Sequence, residues 1–220
     1  EARAAKPFGQ PVKASAKVRP ADLAPLTPAT DEPRSGLSMG EHQAITTARG
    51  DISREAQDEL ALASHEHLAA AWDAGFFDDL VTPFRGLVRD DNLRADSSLE
   101  KLAALKPVYG KRLEGVTPTM TAGNSTPLTD GASTVLLASA EWARERDLPL
   151  LARVVDAETA AVDFVHGHEG LLMAPAHAVP RLRARNGLAL GDFDLYEIHE
   201  AFASTVLPTL TASEDGESCP

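Results

Sequence analysis

Cysteine is nearly missing: Cys219 is the only one in 220 residues. One thiol excludes an internal disulfide framework, and reduced cytosol is the simplest setting, so a cytoplasmic location is expected. Cations are in deficit, with 21 Lys and Arg against 33 Asp and Glu and a net charge of −12. That balance argues against nucleic acid as the main partner, because phosphate contacts need clustered Lys and Arg. It still allows a small anion held by one or two local Arg side chains. No apolar run approaches the roughly 20 residues of a membrane-spanning helix, and no secretory leader is visible. A phosphate-cradling GxxxxGK loop is lacking too, which leaves nucleotide hydrolysis unsupported. No internal repeat is found. Aliphatic side chains are ample and aromatics few, and the length suits one large domain or parts of two. The chain starts at Glu1, which reads as a cut or a gap rather than a native start.

Residues 1–36 are rich in Pro, Ala and charge without a sustained period, and read as irregular connection with a short helix near Ala21. Asp51 to Gly75 gives the strongest helical signal. Ser53 can cap it, Glu55 sits in its first turn, and Gly75 can supply a left-handed stop. Its apolar face is expected to be Ala56, Leu60, Ala63, His67 and Ala71. Phe76 to Pro83 reads as a short extended segment, Asp90 to Ser98 as a polar loop, and Leu99 to Leu105 as a short helix ended by Pro107. Ala122 to Gly131 is a loop crowded with Gly, Asn, Thr and Pro.

Three apolar stretches read as buried strands: Ala132 to Ala138, Leu150 to Val155 and Phe193 to Ile198. Ser139 caps a helix through Arg146 between the first two, and this strand, helix, strand order points to an α/β layered class. Asp156 to Gly170 reads as loop. Pro175 to Asn186 reads as a helix stopped by Gly187, regular only from about Val179 because of Pro180. A last helix is expected from near Glu200 to the residue before Pro208.

The corner Glu197-Ile198-His199-Glu200-Ala201-Phe202-Ala203 draws attention because a titratable His sits where a strand hands over to a helix. Open α/β sheets place ligands at such corners. His199 could polarise a carbonyl or hold a water, yet a His satisfied by backbone is the commoner outcome for one residue. His65-Glu66-His67 and His166-Gly167-His168-Glu169 invite a metal reading. A spacing of two puts helical residues on different faces, and the second cluster has no third ligand group, so no metal is expected. Arg94, in a loop with Asp91 and Asp96, could stack on a flat base or meet a phosphate, and alone reads as a solvated charge. Met39 and Met173 could line an apolar channel or be plain core. Cys219 reads as a loose end rather than a nucleophile.

In order, these pieces resemble the thiolase family. Ser38-Met39-Gly40 with Ile52-Ser53-Arg54-Glu55-Ala56-Gln57-Asp58 is similar to its MG…SREEQD signature. Thr121-Ala122-Gly123-Asn124-Ser125-Thr126-Pro127-Leu128-Thr129-Asp130-Gly131-Ala132 resembles TAGNSSxLxDGA. His199-Glu200-Ala201-Phe202-Ala203 resembles the NEAFA box in its HEAFA form, the form of trifunctional-enzyme β-subunit-like 3-oxoacyl-CoA thiolases and related acetyl-CoA acetyltransferases. Leu105-Lys106-Pro107-Val108-Tyr109 and Met173-Ala174-Pro175 fit between at family spacing, and the match runs from about Arg34 to Leu207.

The resemblance implies an incomplete thiolase-like layered α/β fold with an α-rich loop domain. It implies an irregular connection over 1–35, a loop domain covering CoA over 36–112, the end of the N-terminal half over 113–148 and the start of the C-terminal half over 149–220. The implied reaction is acyl transfer between a 3-oxoacyl-CoA or acetyl-CoA and CoA, by thiolysis or condensation, in fatty acid β-oxidation. Coenzyme A is a substrate there, and no resident cofactor is implied. By the same likeness His199 stands where an Asn positions a water in the enolate-stabilising oxyanion hole. Ala201 and Phe202 flank the pantetheine and acyl end, and Ala122 and Thr126 run along the pantetheine arm. Tyr109 is an aromatic lining position, Arg94 packs on the adenine, and Met39 and Met173 lie near the thioester and acyl channel. Implied partners are CoA thioesters, a second copy in a homo-oligomer, and a hydratase/dehydrogenase subunit. The family's nucleophilic Cys falls before residue 1, and its GHP His and second Cys fall after residue 220. No turnover is therefore expected of this polypeptide alone. The competing readings are a non-catalytic CoA- or lipid-binding module and a structural subunit completed by another chain.

Overall fold

In the computed structural model, residues 28–166 and 169–215 are described. The short helix expected near Ala21, and His168 and Cys219, lie outside them. The regular elements of the described residues are helices, most of whose ends are written in the sequence. Helix α1 spans Met39–Arg49 and opens on a capping box: Ser38 Oγ accepts from Glu41 N at 3.3 Å, and Glu41 Oε2 accepts from Ser38 N at 3.0 Å. Arg112 closes on the same carboxylate. Its hydrogen bonds hold the Glu41 carboxyl at about 2, below its ordinary 4.5.

Helix α2 spans Arg54–Asp73, with Ser53 Oγ accepting from Ala56 N at 3.1 Å. Its C-terminus is wound off by Gly75 at φ 74, where Gly75 N reaches Trp72 O and Phe76 N reaches Ala71 O. This is the Schellman pattern, and Gly adopts it without a Cβ clash. The buried face differs from the apolar stripe expected. Gln57 and Asp58 are the buried residues of α2, and His67 is exposed. A buried polar network outweighs apolar periodicity here, as the groove below makes plain. Phe76 to Pro83 is a turn through Leu80 instead of an extended segment. Gly75 reverses the chain, and Phe77 settles against Trp72 at 4.6 Å between ring centroids.

Two short helices follow their serine caps: α3, Leu99–Ala103 after Ser98, and α4, Ala140–Arg144 after Ser139. Helix α5 spans Ala174–Asn186 and ends on Gly187 at φ 65. It begins five residues earlier than its interior Pro180 suggests, because a proline removes one helical bond and the surrounding turns keep the rest. A 3-10 turn at Leu190–Asp192 leads to the His199 corner.

Helix α6 spans Ala203–Asp215, so it starts after Glu200 and continues through Pro208. A proline at 208 leaves the carbonyl of Ser204 without its intrahelical donor. Gln43 Nε2, from α1, donates to that oxygen at 2.8 Å. Gln43 is 1% exposed, so the substitute bond is made out of water. The helix that proline would end is thus continued by a side chain from elsewhere.

Helix α6 packs on α1, α2 and α5, and α2 also on α3. The main apolar cluster is Ala44, Met120 and Phe202, with Tyr109, Leu113 and Val116 against it; Met173 and Ala176 form a second. The three expected strands are the main departure. Among the described residues the β contacts are isolated pairs, none of them within 132–138, 150–155 or 193–198. Those segments are extended and exposed: Leu151 is 92% and Leu195 89% accessible. A strand needs a neighbour to exchange N–H···O bonds with, and the described residues offer none.

Candidate functional site

The His199 corner is fastened to the small-residue loop by backbone bonds. Thr126 N donates to Ala201 O at 2.9 Å, Ala203 N donates to Asn124 O at 3.1 Å, and Ser125 pairs with Phe202. The loop is held from below by Asn124, which is 3% exposed. Its Oδ1 accepts from Thr121 N at 2.7 Å and its Nδ2 donates to Asp58 Oδ1 at 2.9 Å. Asp58 pairs in turn with Arg54 Nε at 2.7 Å, and Arg54 donates to the carbonyls of Leu102 and Leu105. One chain of bonds therefore ties α3, α2, the loop and the start of α6. Gly123 lies close against it, since a Cβ there would come within 2.6 Å of the ends of the Leu102 and Leu105 side chains and make them move.

Above this network runs a groove of about 640 Å³. One wall is the α2 stripe Leu60, Ala61, Ser64, His65 and Leu68 with the 90–97 loop, and the other is Ala122 to Pro127 with His199, Glu200 and Ala203. Its size suits a small-molecule site, and its lining mixes apolar side chains such as Leu60, Leu68 and Leu102 with many polar and charged ones. Apart from Glu200, the charged groups of the lining sit toward the α2 side. Lys101 Nζ pairs with Asp96 Oδ2 at 2.6 Å, and that bond holds the Asp96 carboxyl below its usual range. Arg94 donates to the carbonyls of Asp91 and Leu93 at 2.8 and 3.2 Å, which folds its loop. Its backbone N–H also reaches His65 Nδ1 at 3.4 Å.

Arg94, Ala122, Thr126 and His199 line the groove. His199 is exposed at the corner and is not the buried, backbone-satisfied histidine that is the commoner case. Ala201 lies beside it and packs on the apolar cluster. Phe202 is 6% exposed in that cluster, with Tyr109 edge-on at 5.8 Å, so both support the wall from behind. Met39 is 48% exposed at the start of α1, and Met173 is wholly buried in the second cluster; neither lines the groove. His65 and His67 part ways as their spacing requires, His65 lining the groove and His67 exposed. Ser64, Asp96, Lys101 and Glu200 are groove residues to which the sequence assigned no site role, although Glu200 lies within the HEAFA box. For Ser64 and His65 the available signal was the stripe they share with Leu60, Ala61 and Leu68, at the spacing of one helical face.

Comparison with known proteins decides what this arrangement belongs to. A model of the thiolase N-terminal domain matches residues 21–141, more than half the chain, and one of the thiolase C-terminal domain matches residues 148–215. The chain belongs to the thiolase family. A 3-ketoacyl-CoA thiolase of Yersinia pestis is 37% identical over 216 residues, covering 96% of this chain and 48% of that protein. The chain thus spans about half the length of the curated relatives it matches. Human mitochondrial 3-ketoacyl-CoA thiolase, solved in complex with CoA, superposes with a TM-score of 0.71 at 30% identity, over 85% of this chain and 45% of that one. The dimeric peroxisomal thiolase of Saccharomyces cerevisiae gives 0.72 at 29% identity, over 87% and 50%. The fold is thus the thiolase α/β fold, present in part.

Proposed function

We propose that this chain supplies the CoA groove and the enolate-stabilising corner of a thiolase-type acyltransferase, moving acyl groups between a 3-oxoacyl-CoA or acetyl-CoA and CoA. The observation that carries this is the convergence of three separate segments on one groove: the exposed His199, the Ala122 to Thr126 loop, and the α2 wall with Arg94. In this reading Arg94 meets the adenine end and the small residues Ala122 and Thr126 let the pantetheine arm lie close to backbone. His199, directly or through a water, donates to the thioester oxygen as enolate charge builds, which a preorganised donor does well. Met39, Tyr109, Met173, Ala201 and Phe202 support these walls or the acyl channel beyond them.

The family's acyl acceptor is a cysteine thiolate, and the thiolase motifs put neither of its cysteines on a residue of this sequence. The 220-residue polypeptide is therefore proposed to bind CoA without turning it over. Its proposed setting is the cytoplasm, on its single cysteine. A homo-oligomer is supported by the dimeric yeast relative, and a hydratase/dehydrogenase subunit is the further partner to seek by co-purification. Isothermal titration with CoA tests the reading. Arg94→Ala is expected to weaken binding about tenfold, the scale of a lost charge-assisted contact. Wild-type affinity after that substitution removes Arg94 from the site, and no CoA binding at all removes the reading.

A second reading, a structural subunit completed by another chain, is favoured by the exposed apolar segments around Leu136, Leu151 and Leu195. Unpaired strands of that kind readily add to a partner sheet.

A further inference from the structure

The Ser64 hydroxyl donates to Glu200 Oε2 at 2.6 Å, between residues 136 positions apart. Ser64 belongs to α2, and Glu200 is the neighbour of His199, so this bond joins the two walls of the groove. A hydroxyl bonded to a carboxylate at that length is of the stronger, charge-assisted kind. Other ties across the groove run elsewhere. Asn92 Nδ2 reaches Thr129 Oγ1 at 3.1 Å, and Asn124 Nδ2 reaches Asp58 Oδ1 under the floor. Neither touches the segment that carries the imidazole.

Residues 193–198 enter that segment without a ladder, so they do little to fix it. His199 is steadied from its C-terminal side, by the Ala201 and Ala203 backbone bonds and by the Glu200 carboxylate. The helical turn bearing Ser64 also bears His65, which takes the Arg94 N–H. The bond therefore connects the Arg94 wall to the His199 corner.

Resting on the reading of this groove as the thioester slot, we propose that Ser64 is a positioning residue, whose hydroxyl holds Glu200 and so sets the His199 imidazole and the width of the slot. It touches no reacting atom. Losing it lets the corner swing away from α2.

The test uses the 220-residue chain, with the His199 Cε1–H resonance followed by NMR without ligand and CoA affinity measured by titration. His199→Gln assigns the resonance. Ser64→Ala is expected to move it and to weaken CoA binding about fivefold, the scale of one hydrogen bond. Glu200→Ala should do the same, the double variant should lose no more than either single one, and Ser64→Thr should restore both readouts. A shared loss of this kind is the mark of a coupled pair. Alanine suits a helix interior better than serine, so the Ser64→Ala chain stays folded. An unmoved resonance in Ser64→Ala, or losses that multiply in the double variant, overturns the proposal. The resonance is read without CoA, so a chain that binds no CoA defeats the functional reading while the positioning role is still decided.

Discussion

The groove and the extended segments obey opposite rules. Beneath the groove, two polar side chains are buried and paired: Asp58 is 3% exposed and Asn124 3%, and each is bonded on more than one side. In the extended segments apolar side chains stand in the open, Val135 at 78% and Leu151 at 92%. Asp58 and Asn124 find their partners within the described residues. The extended segments do not, because β pairing depends on a neighbour strand rather than on local sequence. A binding groove can therefore be well formed in a chain whose sheet segments are not.

The sharpest way to break that contrast is to remove the centre of the paired region. Asp58→Ala leaves Arg54 with a buried, uncompensated charge and frees Asn124 from α2. Urea denaturation is expected to show a loss of about 3 kcal/mol, the scale of a severed buried ion pair. CoA affinity should fall with it, since Asn124 shapes the loop. A loss under about 0.5 kcal/mol, the level of an ordinary surface change, would mean that the network is not what holds this region.

A smaller effect comes from acid. The Glu41 carboxyl is held near 2 by Arg112 and the Ser38 capping bonds, against an ordinary 4.5. A group depressed in the folded state contributes stability that is complete above about pH 4.5 and fades as pH falls toward 2. Arg112 is largely exposed, so solvent discounts the pair to no more than about 1 kcal/mol. Glu41→Gln keeps a partner for the cap and removes the titration. The variant should thus be less stable at pH 6 and converge on the wild type near pH 2. A stability gap that stays constant between those pH values would assign the effect to packing.

This division also explains what could be read in advance. Ser53 and Ser139 as caps and Gly75 and Gly187 as stops were legible because each acts within a few residues of itself. Helix α1 carried an equally local signal, Ser38 followed by Glu41, that went unread. Pro208 misled because the group that replaces its lost donor, Gln43, sits 161 positions from Ser204. The apolar face of α2 misled because Asp58 finds partners that α2 itself does not contain. In the groove, Arg94, Ala122, Thr126 and His199 came from family motifs. Ser64 and Glu200 define their roles by meeting each other, and neither stretch alone announces that.

The least disruptive change tests the open side of the comparison. Leu151→Lys and Leu195→Lys place charges on side chains 92% and 89% exposed. If those segments are unpaired, unfolding free energy should move by less than about 0.5 kcal/mol. Sedimentation velocity should meanwhile show less self-association, because inserted lysines discourage edge pairing between strands. The groove should keep its affinity for CoA, as neither residue approaches it. A large loss of stability would put both leucines in a packed core and collapse the contrast between the two regions. Unchanged stability with unchanged association would keep the contrast but deny that the exposed segments are the sticky ones.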